Sequence, residues 1–229
     1  MKKLVIGLVT IGLFLTNGIT QAKGDWIQDQ QGKWEYYADE EPIENFYNKS
    51  YSDFTKPIKF PQYYQADSRW GGKRYGLSNL KITGCVPTSL AMIISELKED
   101  VTPVQVADYI YNTSMEMNTT FTGTSSLGAA LALENWGLKY RIVNSKEDLE
   151  LSLKKGYIVF GIVGHGIFVK GNSTHSVILS GYHNGNTKAI DPDNMDKTDR
   201  WYNMDKIWQQ RSTAAEDVVL GGAFMVVYK

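Results

Sequence analysis

The apolar residues of this chain change period part-way along it, and that change fixes the fold class. From Pro87 to Leu97 they recur at helical spacing, with Leu90, Ile93, Ile94 and Leu97 on one stripe. Thr102-Pro103 starts a second helix, with threonine as N-cap and proline at the first helical position. Its expected buried stripe is Val104, Ala107, Ile110 and Tyr111. Ser125 to Trp136 reads as a third helix stopped by Gly137, and Ser145-Lys146-Glu147-Asp148 as the capped start of a fourth that ends near Gly156. The remaining runs are short and rich in β-branched or aromatic residues. They are Lys139–Val143, Tyr157–Val163, His175–Gly181, Thr187–Ile190 and Ala223–Tyr228, with a hairpin turn at Asn184-Gly185-Asn186. Asp205 to Arg211 reads as a short helix. A helical first half followed by an antiparallel sheet is an α+β fold.

Such a fold must hold itself together without crosslinks. The chain has 229 residues and a single cysteine, which excludes an intramolecular disulfide framework and any multi-cysteine metal site. Only three histidines are present, so no metal centre is expected. A formal net charge of −1 excludes a globally basic nucleic-acid binder. The apolar fraction of 42% is enough for a packed core.

Residues 1–22 read as a secretory signal peptide. Met1-Lys2-Lys3 is a short positive start, Leu4 to Leu15 an apolar run, and Asn17 to Ala22 a small polar end suited to cleavage. The run is shorter than the ~20 residues that span a bilayer, so a secreted protein with no membrane association after signal removal is expected. Residues 23–59 are polar and aromatic. Asp25–Asp29 and Gly32–Asp39 read as a β-hairpin with a turn near Gln31-Gly32, and Glu40–Lys59 as a linker. The hairpin resembles one unit of the aromatic cell-wall-binding repeats of Gram-positive surface proteins, which implies a cell-wall association. Residues 60–229 form the expected compact domain.

The exported chain thus carries one unpaired thiol, in Gly84-Cys85-Val86-Pro87-Thr88-Ser89 at a helix start. Free N–H groups and the positive helix end favour a thiolate there. Gly84 would let a substrate backbone come close. His175 opens a strand, and Asp191 ends the strand beyond the Asn184-Gly185 turn. Neighbouring antiparallel strands can set these two side by side, with Asp191 accepting from one imidazole nitrogen and the other facing Cys85. That is the arrangement of nucleophile, base and orienter. A buried structural cysteine and a satisfied core histidine remain the alternative. His183 lies at a turn, and His165 in the loop Gly164-His165-Gly166, and both rank below His175. The backbone N–H of Cys85 and the amide of Gln65 are candidate oxyanion donors.

Tyr64-Gln65-x-Asp67-x-Arg69-Trp70, Tyr75-Gly76, Gly84-Cys85-Val86-Pro87-Thr88-Ser89-Leu90-Ala91-Met92, His175-Ser176-Val177-Ile178-Leu179-Ser180-Gly181-Tyr182 and Ile190-Asp191-Pro192 together resemble the peptidase C-thirty-nine-like family. These are papain-like cysteine peptidases related to the bacteriocin-processing, double-glycine leader peptidases. The resemblance covers residues 60–229. It implies a papain-like fold, with the nucleophile at a helix N-terminus packed on an antiparallel sheet. It also implies a peptide or protein substrate and no metal or organic cofactor. Cys85 is then the nucleophile, His175 the base and acid, Asp191 the orienter and Gln65 an oxyanion donor. Val86 and Thr174 stand where many relatives have glycine, and are expected to narrow the space beside the catalytic pair. A wall-acting amidase or endopeptidase on the same fold, or a non-catalytic binding or immunity module, are the other functions such a chain could serve.

Overall fold

In the computed structural model the described residues are 24–28, 34–38 and 53–229. The chain divides into two units, Met1–Ser50 and Tyr51–Lys229. The expected signal segment and the turn near Gln31-Gly32 lie outside the described residues. In the first unit β1 (Gly24–Gln28) and β2 (Trp34–Ala38) pair antiparallel, Trp26 opposite Tyr36.

The second unit starts ahead of Phe60. Strand β3 (Phe54–Thr55) pairs with a strand of the main sheet at His183 and Tyr182. Two residues are too few to show a period, so this stretch reads as linker in the sequence. Next come a small hairpin, β4 (Arg74–Tyr75) and β5 (Ser78–Asn79), and the helices α1 (Leu80–Thr83), α2 (Cys85–Leu97), α3 (Pro103–Thr113) and α4 (Ser126–Asn135). They are followed by β6 (Lys139–Ile142), α5 (Lys146–Lys154), β7 (Ile158–Val163), β8 (His175–His183) and β9 (Asn186–Ile190). The chain ends with β10 (Arg200–Asn203), α6 (Met204–Gln209) and β11 (Phe224–Tyr228). The sheet runs β10-β9-β8-β7-β11-β6 and every pairing is antiparallel. The β8–β9 hairpin closes at Asn184 and Gly185, both with positive φ (45° and 76°), as a primed turn requires.

The capping residues act as expected. Thr102 and Gln105 form a reciprocal capping box on α3, while Ser125 and Ser145 accept from the third residues of α4 and α5. Two features of the core differ from the expected pattern. Helix α2 has no polar face in its first turns: Val86 to Ile94 are all buried, because other elements cover the helix on every side. On α3 the buried stripe is Pro103, Val106, Ala107 and Ile110, with Val104 and Tyr111 only part-buried. That set is the i, i+3, i+4, i+7 face beginning at the proline itself.

The sheet is a middle layer. Ile158, Phe160, Ile162, Ile178, Met225 and Val227 pack with α2, α3 and α4 in one core cluster. The alternate residues Val159, Val163, Val177, Leu179, Phe224 and Val226 pack on the other side with Leu149 and Leu153 of α5 and Met204 and Ile207 of α6. Helix α5, from the helical half, therefore sits opposite the other three. The period of 2 on β7 and β11 sorts the residues between faces. Both faces are covered, so β7 is buried along its whole length.

One close approach fixes the β7–β11 pairing. Gly161 lies opposite Phe224, and a Cβ on Gly161 would sit 2.3 Å from the Phe224 ring. Gly161→Ala is expected to force that ring off its rotamer and to destabilise the fold by about 1–3 kcal/mol, read by chemical denaturation. A midpoint equal to wild type would show that the ring has room to move.

Candidate active site

Cys85 is placed by the break between α1 and α2. The Gly84 N–H donates to the Leu80 carbonyl (2.8 Å), closing α1, and Cys85 then opens α2. A Cβ on Gly84 would stand 2.3 Å from that same carbonyl oxygen. The glycine is therefore required by the chain's own turn. The turn is braced from outside. The Thr83 hydroxyl donates to the Asn79 carbonyl (3.1 Å) and accepts from the amide of fully buried Asn118 (2.9 Å). Val86 is buried in the core at 2% exposure, in the cluster that Cys85 packs against. Thr174 is exposed and lines a groove.

His175 and Asp191 meet across the β8–β9 hairpin. Ile178 lies opposite Ile190, which brings the start of β8 level with the loop after β9. His175 Nε2 is 2.7 Å from Asp191 Oδ1, with His175 8% exposed and Asp191 fully buried. The same Oδ1 accepts from the backbone N–H groups of Asp193 (2.9 Å) and Asn194 (3.1 Å). The Thr198 hydroxyl spans the Asp191 main chain, donating to its carbonyl and accepting from its N–H. Asp191 is thus fixed by its own loop. Nε2 is engaged by Asp191, so Nδ1 is the nitrogen left to serve the Cys85 thiol, whose ionised form His175 favours.

The electrostatics follow from these contacts. Burial pushes the partly buried Cys85 thiol up, but the hydrogen bond and positive charge of His175, helped by the N–H and hydroxyl of Ser176, hold it below its ordinary value. Burial pulls His175 down, yet its hydrogen bonds to Asp191 and Cys85 and their negative charges raise it to about 10. Both shifts favour a thiolate–imidazolium pair at neutral pH. The N-terminus of the thirteen-residue helix α2 adds its positive end.

Gln65 is not a surface residue. It is 4% exposed, its N–H donates to the Pro192 carbonyl (2.8 Å) beside Asp191, and its amide donates to the Lys81 carbonyl (2.9 Å) just ahead of Cys85. The second Nε2 hydrogen has no partner among the described residues. The segment around Gln65 is held by the residues that make it recognisable: Asp67 accepts from the Arg69 N–H and guanidinium, and the Trp70 indole donates to the Tyr64 carbonyl (2.7 Å). Of the other histidines, His183 is exposed between Phe54 and Trp201. His165 is exposed, accepts from the Gly171 N–H (3.1 Å), and lines a groove of about 380 Å³ with Thr174, Gln210, Ser212 and Thr213. No cluster of metal-ligating side chains is present among the described residues.

Sequence reasoning missed two serines. The hydroxyls of Ser176 and Ser89 lie 3.0 Å apart, both serines are fully buried, and Ser176 helps to hold the Cys85 thiol below its ordinary value. The available signal was a serine directly after the histidine, in a strand otherwise built of core residues.

This α+β fold sets a cysteine at a helix start near a histidine that is bonded to a buried aspartate. Residues 57–216, most of the chain, match the Peptidase_C39 like family, and the chain belongs to that family. Among solved structures, the peptidase domain of Streptococcus ComA, a bi-functional ABC transporter involved in a quorum-sensing pathway, is 17% identical with a TM-score of 0.45. That similarity covers 64% of this chain and 92% of ComA's domain. A double glycine motif protease from an AMS/PCAT transporter, solved with its leader peptide, is 19% identical with a TM-score of 0.46, over 75% of this chain and 92% of that one. No curated protein sequence matches the chain significantly.

Proposed function

We propose that the protein is a secreted peptidase that hydrolyses peptide bonds with Cys85 as nucleophile, His175 as general base and acid, and Asp191 as orienter. The contact chain Cys85–His175–Asp191 at the start of a buried helix carries this reading. Family membership supports peptides or proteins as the substrate class. Cys85 sulfur, as thiolate, attacks the scissile carbonyl carbon, and the oxygen takes the negative charge. The Cys85 N–H, free at the first turn of α2, and the second Nε2 hydrogen of Gln65 are the donors for that oxyanion. The His175 imidazolium gives its Nδ1 proton to the leaving amine, and a thioester remains. Neutral His175 then takes a proton from water, whose oxygen attacks the thioester and releases the acid. Throughout, Asp191 keeps the imidazole ring in one orientation and balances its charge.

Secretion is part of the proposal and rests on the signal-like layout of residues 1–22. Amino-terminal sequencing of the protein from culture medium is expected to begin after Ala22, and recovery of the intact chain from cells alone would contradict it. For the chemistry, incubation with a thiol-directed peptide aldehyde or chloromethyl ketone under reducing conditions is expected to block hydrolysis. The chloromethyl ketone should leave one adduct on Cys85 by mass spectrometry. A protein that no such probe labels at Cys85 is not a peptidase of this kind.

A further inference from the structure

On β8 the residues that face α2 alternate with those that face α5 and α6. Ile178 lies in the α2 cluster and Val177 in the opposite one. Ser176 belongs to the α2 side, and its hydroxyl lies 3.0 Å from that of Ser89, one helical turn past Cys85. Both serines have no solvent exposure. Buried hydroxyl pairs add little net stability, because each loses its water to gain the other. Two alanines would fill a helix–strand contact at least as well. The pair also sits at a particular place: Ser176 follows His175 directly, Ser89 lies four residues past Cys85 on α2, and the N–H and hydroxyl of Ser176 help to hold the Cys85 thiol below its ordinary value.

We propose that Ser176 is a thiolate-binding residue of this site, with its hydroxyl held toward Cys85 by Ser89. This rests on the Cys85–His175 reading given above. Each hydroxyl has one hydrogen to give. When Ser89 donates to Ser176 Oγ, the Ser176 hydrogen is free for the sulfur. A hydrogen bond to an ionised acceptor is about twice as strong as a neutral one, so the relay favours the thiolate over both the thiol and the thioester. The charged groups around Cys85 are His175 on β8 and, behind it, Asp191 after β9; α2 has no acidic residue in its first turn, and Lys81 of α1 is exposed. Ser176 therefore acts beside the imidazolium. Ser89 is a positioning residue that works only through Ser176.

The single cysteine makes the test direct, since thiolate ultraviolet absorbance reports Cys85 alone. The full chain and its Ser176→Ala, Ser89→Ala and double variants are titrated below the range where tyrosine ionises, with thermal melting as a check on folding. Ser176→Ala is expected to raise the Cys85 midpoint by about one pH unit, the size of one charge-assisted hydrogen bond. Ser89→Ala raises it by less, and the double variant matches Ser176→Ala. The acid limb of hydrolysis moves by the same amount, while the rate at higher pH recovers. A folded Ser176→Ala protein with the wild-type midpoint overturns the proposal, as does a double variant in which the two shifts add. If Ser176→Ala does not fold, an unshifted Ser89→Ala protein overturns it instead. A wild-type thiol that titrates as an ordinary cysteine would instead overturn the peptidase reading beneath it.

Discussion

Cys85→Ala abolishes peptide hydrolysis and leaves the protein folded. The expected loss is about 10⁴–10⁶-fold in kcat, because a methyl group cannot form the thioester and the remaining oxyanion donors act on a much slower attack by water. The stability cost is small, about 1 kcal/mol, because only one partly buried sulfur is removed and the turn that places it is held by Leu80, Thr83 and Asn118. Hydrolysis rates and urea denaturation on the same preparation separate the two effects. Retained activity in a folded Cys85→Ala protein would place the chemistry elsewhere in the molecule.

The second large effect is at Asp191, where activity and stability fall together. Oδ1 accepts from His175 and from two backbone N–H groups in a fully buried position. Asp191→Ala leaves those two donors unpaired and removes one of the two negative charges that hold the imidazolium. The expected cost is about 3–5 kcal/mol in stability, and about 10³–10⁴-fold in kcat. Asp191→Asn separates the terms. Its amide oxygen still serves the Asp193 and Asn194 N–H groups, so most of the stability returns. The charge does not return, and His175 falls from about 10 toward its ordinary 6.5. The sign of the pH dependence follows. His175 is raised in the folded state, so its contribution to stability is fully present below pH 6.5 and is lost as the pH rises through about 10. In Asp191→Asn the alkaline limb of hydrolysis should move down toward neutrality. An unchanged alkaline limb would mean that Asp191 does not set the charge of His175.

The site was legible where local signals and chain order agreed. A cysteine at a helix start, a histidine at a strand start and an aspartate past a two-residue turn came together because a primed turn at Asn184-Gly185 fixes the β8–β9 register, and register decides which residues meet. Gln65 was legible as a candidate, but its burial was not: that comes from bonds to Pro192 and Lys81, distant in sequence. The helix caps were legible because they are local. The placement of α5 on the far face of the sheet was not, since a helix's own period says which side is apolar but not which partner covers it. Strand β10 was missed because Arg200–Asn203 is a mostly exposed edge with no apolar alternation, and β3 because two residues carry no period. Gly84 was singled out by its place before Cys85, but its close approach to the Leu80 carbonyl is visible only in the fold. Ser176 and Ser89 lie inside the cysteine and histidine motifs, but nothing in those motifs pairs them with each other. They become visible only when β8 is laid against α2.

The account stands on an ionised Cys85 paired with His175. The measurement that tests it most directly is the pH dependence of iodoacetamide alkylation of Cys85 in the wild-type protein and in His175→Ala. In the wild type, alkylation should persist well below the ordinary thiol range, because His175 outweighs the effect of burial. In His175→Ala burial remains and its main opponent is gone, so the reactive midpoint should rise to the ordinary value or beyond. Slow alkylation with an ordinary thiol profile in both proteins would contradict the account and make Cys85 a structural residue.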